Sequence, residues 1–242
     1  MVDNRVKIYD TPESASENLS LRLKEEINKK EDVFNLSVSG GSTPEVLFKK
    51  LASDNFNKSI DWNKTHFWWC DERCVPPDDK ESNFGMTHKL LLNRISIPLD
   101  NIHRIKGEAE ASKEAVRYAT DMEKLLHKEK TGVPELDWVL LGLGKDGHTA
   151  SLFPGKNLLF VYSNLVGVAR HPESGQRRIT LTKEVLNSAK RITFLVTGKE
   201  KAKVLSEILQ NHPVSKNYPA AEIKPLNGIM DWVIDKDAAF YL

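Results

Sequence analysis

This sequence predicts an α/β fold built as a single domain over residues 1–242, with a mostly parallel sheet and helices on both faces; three observations lead there. Short, nearly continuous apolar runs such as Leu136-Asp137-Trp138-Val139-Leu140-Leu141 read as strands buried on both sides, as in a parallel sheet. Amphipathic stretches alternate with those runs, the order that crossover helices require. Two of the runs end in glycine-rich turns, and open α/β sheets bind ligands in the crevice outside the carboxyl ends of their strands.

Taken in order, Val6-Lys7-Ile8-Tyr9 is a short strand, and residues 13–30 form an amphipathic helix with Leu19, Leu23 and Ile27 at four-residue spacing. Residues 33–39 are the next strand, followed by helices over 44–52, 84–94 and 108–130, the last so charged that it belongs on the surface with His127 solvated on it. Between the first two of those helices, residues 65–73 form an aromatic strand that ends in Asp71-Glu72-Arg73. After the strand at 136–141 come strands at 165–169, 178–181 and 191–197, a helix at 199–210 and a last apolar stretch at 231–235. No repeat, linker or low-complexity segment divides them.

Composition narrows the function classes. The chain has 242 residues, with 35 Lys and Arg against 34 Asp and Glu, so no basic excess points to nucleic acid. The N-terminus lacks the apolar core of a signal peptide, and no stretch reaches the roughly 18 apolar residues of a membrane span, so a soluble cytoplasmic protein is expected. Cys70 and Cys74 are too few for a disulfide framework and read as reduced thiols. His66, Cys70 and Cys74 stand four apart, but on a strand they spread over many ångströms and a fourth ligand is missing, so no metal is expected.

Three segments carry chemistry. In Ser39-Gly40-Gly41-Ser42-Thr43-Pro44 a strand turns into a helix; Gly40 and Gly41 let the backbone curl round a ligand, Ser42 and Thr43 offer hydroxyls, and Pro44 suits the first helical turn. Unpaired N–H groups and the helix dipole there suit an anion, although such a turn alone is equally an ordinary capped βα connection. It is neither a Walker loop nor a GxGxxG turn, which favours a phosphorylated small molecule over a nucleotide. In the second segment Arg73 can present its planar fork to phosphate or carboxylate oxygens, and Asp71 can accept a proton or a sugar hydroxyl; taken alone, a solvated strand end with an Asp or Glu paired to Arg73 is the more ordinary explanation. The third, Gly142-Leu143-Gly144-Lys145-Asp146-Gly147-His148, puts a histidine two residues after an aspartate in a glycine-rich turn behind a strand, where a base would sit.

Together with Ser82-Asn83, these segments resemble the 6-phosphogluconolactonase family, part of the glucosamine-6-phosphate isomerase superfamily. The match is densest in Gly142 to Gly155, of the form GLGxDGHTASLFPG, and continues more weakly through Arg178-Ile179-Thr180-Leu181-Thr182, Thr197-Gly198-Lys199-Glu200-Lys201-Ala202 and Pro219-Ala220-Ala221. The resemblance implies hydrolysis of 6-phospho-D-glucono-1,5-lactone in the oxidative pentose phosphate pathway, with no metal or cofactor. His148 would be the base that activates water, and Asp146 would orient either the imidazole or a substrate hydroxyl. Gly40, Gly41, Ser42, Thr43, Asp71, Arg73, Asn83, Arg178 and Lys201 would hold the substrate. The partner is a small phosphosugar lactone, and the chain a monomer or small homo-oligomer.

Pro172-Glu173-Ser174-Gly175 departs from the lysine-and-proline-rich form of some members, so no contact is carried over there. The competing family, glucosamine-6-phosphate deaminase, carries a glutamate five residues after the motif histidine; here that position is Phe153. A non-catalytic sugar-phosphate sensor is a third possibility, against which the retained His148 and Asp146 speak. The remaining histidines, His66, His88, His103, His171 and His212, read as hydrogen-bonded or solvated side chains.

Overall fold

The computed structural model describes residues 5–128 and 132–242. Strand β1 (Val6–Tyr9) leads into helix α1 (Pro12–Lys29). Thr11 starts that helix: its hydroxyl accepts from the Ser14 N–H at 3.2 Å, and Ser14 Oγ accepts from the Thr11 N–H at 3.0 Å. Leu19, Leu23 and Ile27 are fully buried, the face that their spacing predicts. Then follow β2 (Phe34–Val38), α2 (Ser42–Leu51), α3 (Asp54–Asn57), β3 (Thr65–Trp69), β4 (Asp71–Arg73), α4 (Asn83–Leu90), β5 (Ile102–His103) and α5 (Ala111–Leu125). The second half holds β6 (Trp138–Leu141), β7 (Phe160–Tyr162), β8 (Val166–Arg170), β9 (Arg177–Leu181), α6 (Lys183–Ser188), β10 (Arg191–Val196), α7 (Ala202–Leu209) and β11 (Ile229–Asp235).

Seven strands make one sheet in the order β1-β11-β10-β6-β2-β3-β5, and every pairing in it is parallel. All residues of β2 and β6 are buried, so both faces of the sheet centre are covered. Asp137, the acid beside β6, accepts from the Asn35 N–H at 2.8 Å and from the ammonium groups of Lys30 at 2.7 Å and Lys190 at 3.1 Å, which satisfies a carboxylate that is 9% exposed.

The mostly parallel sheet is as expected, and beside it β4, β9, β8 and β7 form a second, antiparallel sheet in that order. The reason is connectivity, since β8 and β9 are joined by a short turn with no crossover helix, which permits only a hairpin. The expected strand at 65–73 breaks at Cys70 into β3 and β4, one in each sheet; Cys70 donates its N–H to Val38 O and accepts at its own carbonyl from Leu181 N–H, serving both ladders. The helix expected over 108–130 ends at Leu125, His127 lies beyond it, and Glu129 and Lys130 fall outside the described residues. It is a surface helix with one buried face: Ala115, Tyr118, Ala119 and Met122 are covered where α5 packs on β8 and β9, while Lys113 and Lys124 are exposed. Finally, α4 stops at Leu90 with a separate 3-10 turn at Leu92–Arg94, and α7 is preceded by a 3-10 turn at Lys199–Lys201.

The two sheets share one hydrophobic core. Its largest members include Trp68, Trp69, Trp138 and Trp232, with Phe194 stacked on Trp232 at 4.1 Å between ring centroids. Burying one such aromatic ring contributes about 1.5–3 kcal/mol.

Candidate active site

Strand order decides where the site lies. From β2 the chain moves one way, to β3 and β5; from β6 it moves the other way, to β10 and β11. The crevice beyond the carboxyl ends of β2 and β6 is therefore the point at which the topology switches. A pocket of about 280 Å³ opens there. The turns after β2, β6 and β10 and the β4 strand after β3 all contribute to its wall, bringing together Gly40, Gly41, Ser42, Thr43, Asp71, Arg73, Asn83, His148, Arg178 and Lys201. Of the residues singled out in the sequence, Asp146 alone is absent from the lining; it stands behind His148.

The first turn is short because α2 begins at Ser42, two residues before the expected start at Pro44. Its N-cap is Gly41, with φ +112°, and no side chain caps the helix, so its first N–H groups are left for a ligand. Thr43 shares a hydrogen bond of 2.9 Å with Thr197, tying this helix start to the end of β10. A Cβ on Gly40 would stand 1.8 Å from Asn83 Oδ1, so that glycine makes room for the asparagine. Asn83 Nδ2 donates to Asp71 O at 2.9 Å, and the buried Ser151 hydroxyl donates to Asp71 Oδ2 at 2.7 Å.

His148 is held from three sides. Its Nδ1 lies 2.5 Å from Asp146 Oδ1, and its own N–H bonds the same oxygen at 3.2 Å. A Cβ on Gly144 would be 2.1 Å from Nδ1, so the ring occupies space that only glycine leaves. The Phe153 ring packs against the imidazole at 5.1 Å between centroids. The Asp146 carboxyl is held below its ordinary value: burial pushes it up, but the hydrogen bond and charge of His148 outweigh that. An ionised Asp146 only accepts, so Nδ1 carries the hydrogen of this contact, and in the neutral ring Nε2 is the acceptor.

The wall carries four cations, Arg73, Lys145, Arg178 and Lys201, against one carboxylate, Asp71. Arg73 and Arg178 stand directly opposite each other across the β4–β9 ladder, a placement of like charges that destabilises a sheet unless an anion compensates. The Arg178 guanidinium is shifted down, by burial first and then by Arg73. The Lys201 ammonium is likewise pushed down by burial and by Lys145, with Glu200 opposing. Such a wall favours a multiply charged anion such as a phosphate monoester.

Lys145, Thr149, Ala150 and Ser151 were not singled out from the sequence. Lys145 stands where the motif tolerates any residue, so only its place in the wall reveals it. The remaining histidines do other work: His66 Nδ1 and His103 Nε2 are hydrogen-bonded at 2.9 Å, His103 stacks on Trp68, and His212 caps a 3-10 turn. His103 ends β5 rather than lying in a loop, and burial pulls its imidazole down to about 4. Cys70 Sγ pairs with the Ser37 hydroxyl at 3.2 Å.

Similarity to known proteins decides the family. The family described as glucosamine-6-phosphate isomerases/6-phosphogluconolactonase matches residues 10–232. The chain belongs to that family. It is 49% identical over 203 residues to a 6-phosphogluconolactonase of Haemophilus influenzae, covering 84% of this chain and 85% of that one. A chloroplastic 6-phosphogluconolactonase of Arabidopsis thaliana is 34% identical over 97% of this chain and 74% of its own length. Among solved structures, a devB protein superposes with a TM-score of 0.92 at 45% identity, covering 98% and 99% of the two chains. The 6-phosphogluconolactonase of Trypanosoma brucei follows at 0.82 and 29% over the whole of both chains. A monomeric glucosamine-6-phosphate deaminase also reaches 0.82, but at 22% identity it shows only that the fold is shared.

Proposed function

We propose that this chain hydrolyses 6-phospho-D-glucono-1,5-lactone to 6-phosphogluconate in the oxidative pentose phosphate pathway, with His148 as general base. The observation that carries this is the pairing of an oriented imidazole with four cations around one small pocket. A lactone carbonyl is already electrophilic, so a base and a stabilised oxyanion suffice, with no covalent nucleophile, metal or cofactor. His148 Nε2 takes a proton from water as the water oxygen bonds to C1, and the carbonyl electrons move onto oxygen. The tetrahedral intermediate collapses, the bond from C1 to the ring oxygen breaks, and the imidazolium returns its proton to that oxygen. Asp146 holds the tautomer and offsets the imidazolium charge. Arg73, Arg178, Lys201 and the start of α2 surround the anion, while Asp71 and Asn83 face the sugar hydroxyls.

Phe153 argues against the deaminase alternative. Where the resemblance puts a glutamate in that family, this chain has an apolar ring packed on the imidazole, which can neither take nor give a proton. We place the enzyme in the cytoplasm, as a monomer or small homo-oligomer. The test is turnover of freshly made phosphogluconolactone beside glucosamine 6-phosphate, each corrected for the spontaneous reaction. Acceleration of the lactone alone is expected; turnover of the amino sugar alone would overturn the proposal.

A further inference from the structure

Glu72 sits between two residues of the pocket wall, Asp71 and Arg73, and strand alternation turns it to the opposite side of β4. Its carboxylate is 2% exposed and accepts four hydrogen bonds. Oε1 takes the backbone N–H groups of Arg73 and Asn83, each at 2.8 Å. Oε2 takes the Phe84 N–H at 2.8 Å and the Ser82 hydroxyl at 3.1 Å. Asn83 and Phe84 are the first residues of α4, so this carboxylate closes a helix N-terminus, where negative charge is favoured. The Ser82 hydroxyl, in turn, accepts from the Gly85 N–H at 3.0 Å.

This charge is not there for stability alone. Burial pushes the Glu72 carboxyl up; the N–H groups of Phe84, Asn83 and Arg73 oppose that, and Asp71 adds to it. A group whose folded pKa is raised contributes stability that is present below its unfolded pKa and lost as pH rises through the folded one. What Glu72 secures is geometry, since four donors converge on it and a neutral amide offers only one acceptor oxygen. Of the three backbones it holds, those of Arg73 and Asn83 belong to residues that line the pocket.

We propose that Glu72 is a positioning residue of the phosphosugar site, fixing the backbone of Arg73 and the start of α4 so that both Asn83 and Arg73 face the ligand. This rests on the function proposed above. Kinetics with phosphogluconolactone on Glu72→Gln, Asn83→Ala and the double variant test it. Each single change raises KM by about five- to tenfold, the worth of one or two hydrogen bonds, and leaves kcat within about twofold. Because Glu72 acts through Asn83 in part, the double variant has a KM well below the product of the two single effects. Glu72→Asp, which keeps the charge, recovers part of the loss. A merely structural role would instead lower the melting temperature and the active fraction at unchanged KM. Should Glu72→Gln fail to fold, Glu72→Asp and Ser82→Ala enter the same cycle with Asn83→Ala in its place. A folded variant with wild-type KM, or effects that simply multiply, would overturn the inference while leaving the lactonase proposal standing. Absence of lactone turnover by the unmodified chain would overturn that proposal, and this inference with it.

Discussion

At the scale of single residues, the arrangement around His148 has a direct kinetic consequence. With Nδ1 committed to Asp146 and Nε2 left to accept, His148→Ala removes the proposed base but none of the cations of the pocket wall. The variant is expected to fold, to lose roughly 10²–10⁴ in kcat and to change little in KM. Stopped-flow measurement of lactone loss, with circular dichroism for folding, checks this; a folded variant that keeps more than about a tenth of kcat would move the role to Asp71 or Asp146. Because the Asp146 carboxyl is depressed, its anchoring contribution is present above the unfolded carboxylate pKa and is lost only as pH falls through the lower folded value. The thiols make a second, negative prediction. Burial above all pushes Cys70 up to about 12 and Cys74 to about 11, so neither is a thiolate near neutrality. Iodoacetamide should label neither in the native chain and leave activity intact, whereas both should react in urea; rapid native labelling with loss of activity is the contrary result.

Among elements, turns are more legible than strand ends. Gly40, Gly41 and the Asp146-Gly147-His148 turn stand out because glycine and charge beside an apolar run have few explanations. The break at Cys70 is hidden, since Thr65 to Arg73 has no glycine or proline to mark it and the chain only changes sheets there. Glu72 is hidden for the same reason: beside Arg73 it reads as that residue's ion partner, while its actual partners are N–H groups of α4 some eleven residues on. At Gly41 the glycine serves a positive φ, whereas at Gly144 the structure makes it a matter of space. Gly144→Ala places a methyl group 2.1 Å from His148 Nδ1, so the imidazole has to leave Asp146 or the loop has to move. The variant should fold, because the strand behind it is untouched, yet lose kcat by at least about tenfold from a misplaced base. A wild-type kcat in Gly144→Ala would mean that the Asp146–His148 contact contributes nothing to the rate.

At the scale of the whole molecule, the parallel sheet is readable from its apolar runs, but the second sheet is not, because hairpin strands at 165–181 look like any other alternating element until their partners are known. That second sheet is what closes the pocket. Asp71, Arg73 and Arg178 come from the antiparallel sheet, whereas Gly41, His148 and Lys201 follow strands of the parallel one. In the proposed reading, a phosphosugar bound between them would contact both sheets, and its phosphate would relieve the opposition of Arg73 to Arg178. The product 6-phosphogluconate should therefore raise the unfolding temperature of the chain, by an amount set by mass action: at a hundredfold excess over Kd the gain is about 2.7 kcal/mol. Removing one cation weakens that linkage. Arg73→Ala or Lys201→Ala should each lower affinity by about 1.5–3 kcal/mol, so at the same ligand concentration most of the thermal shift disappears. The unliganded Arg73→Ala chain should melt no lower than wild type, since it loses a like-charge neighbour along with its own contacts. Differential scanning calorimetry with and without ligand reads both quantities at once, and a full ligand shift in both variants would place the phosphate away from this wall.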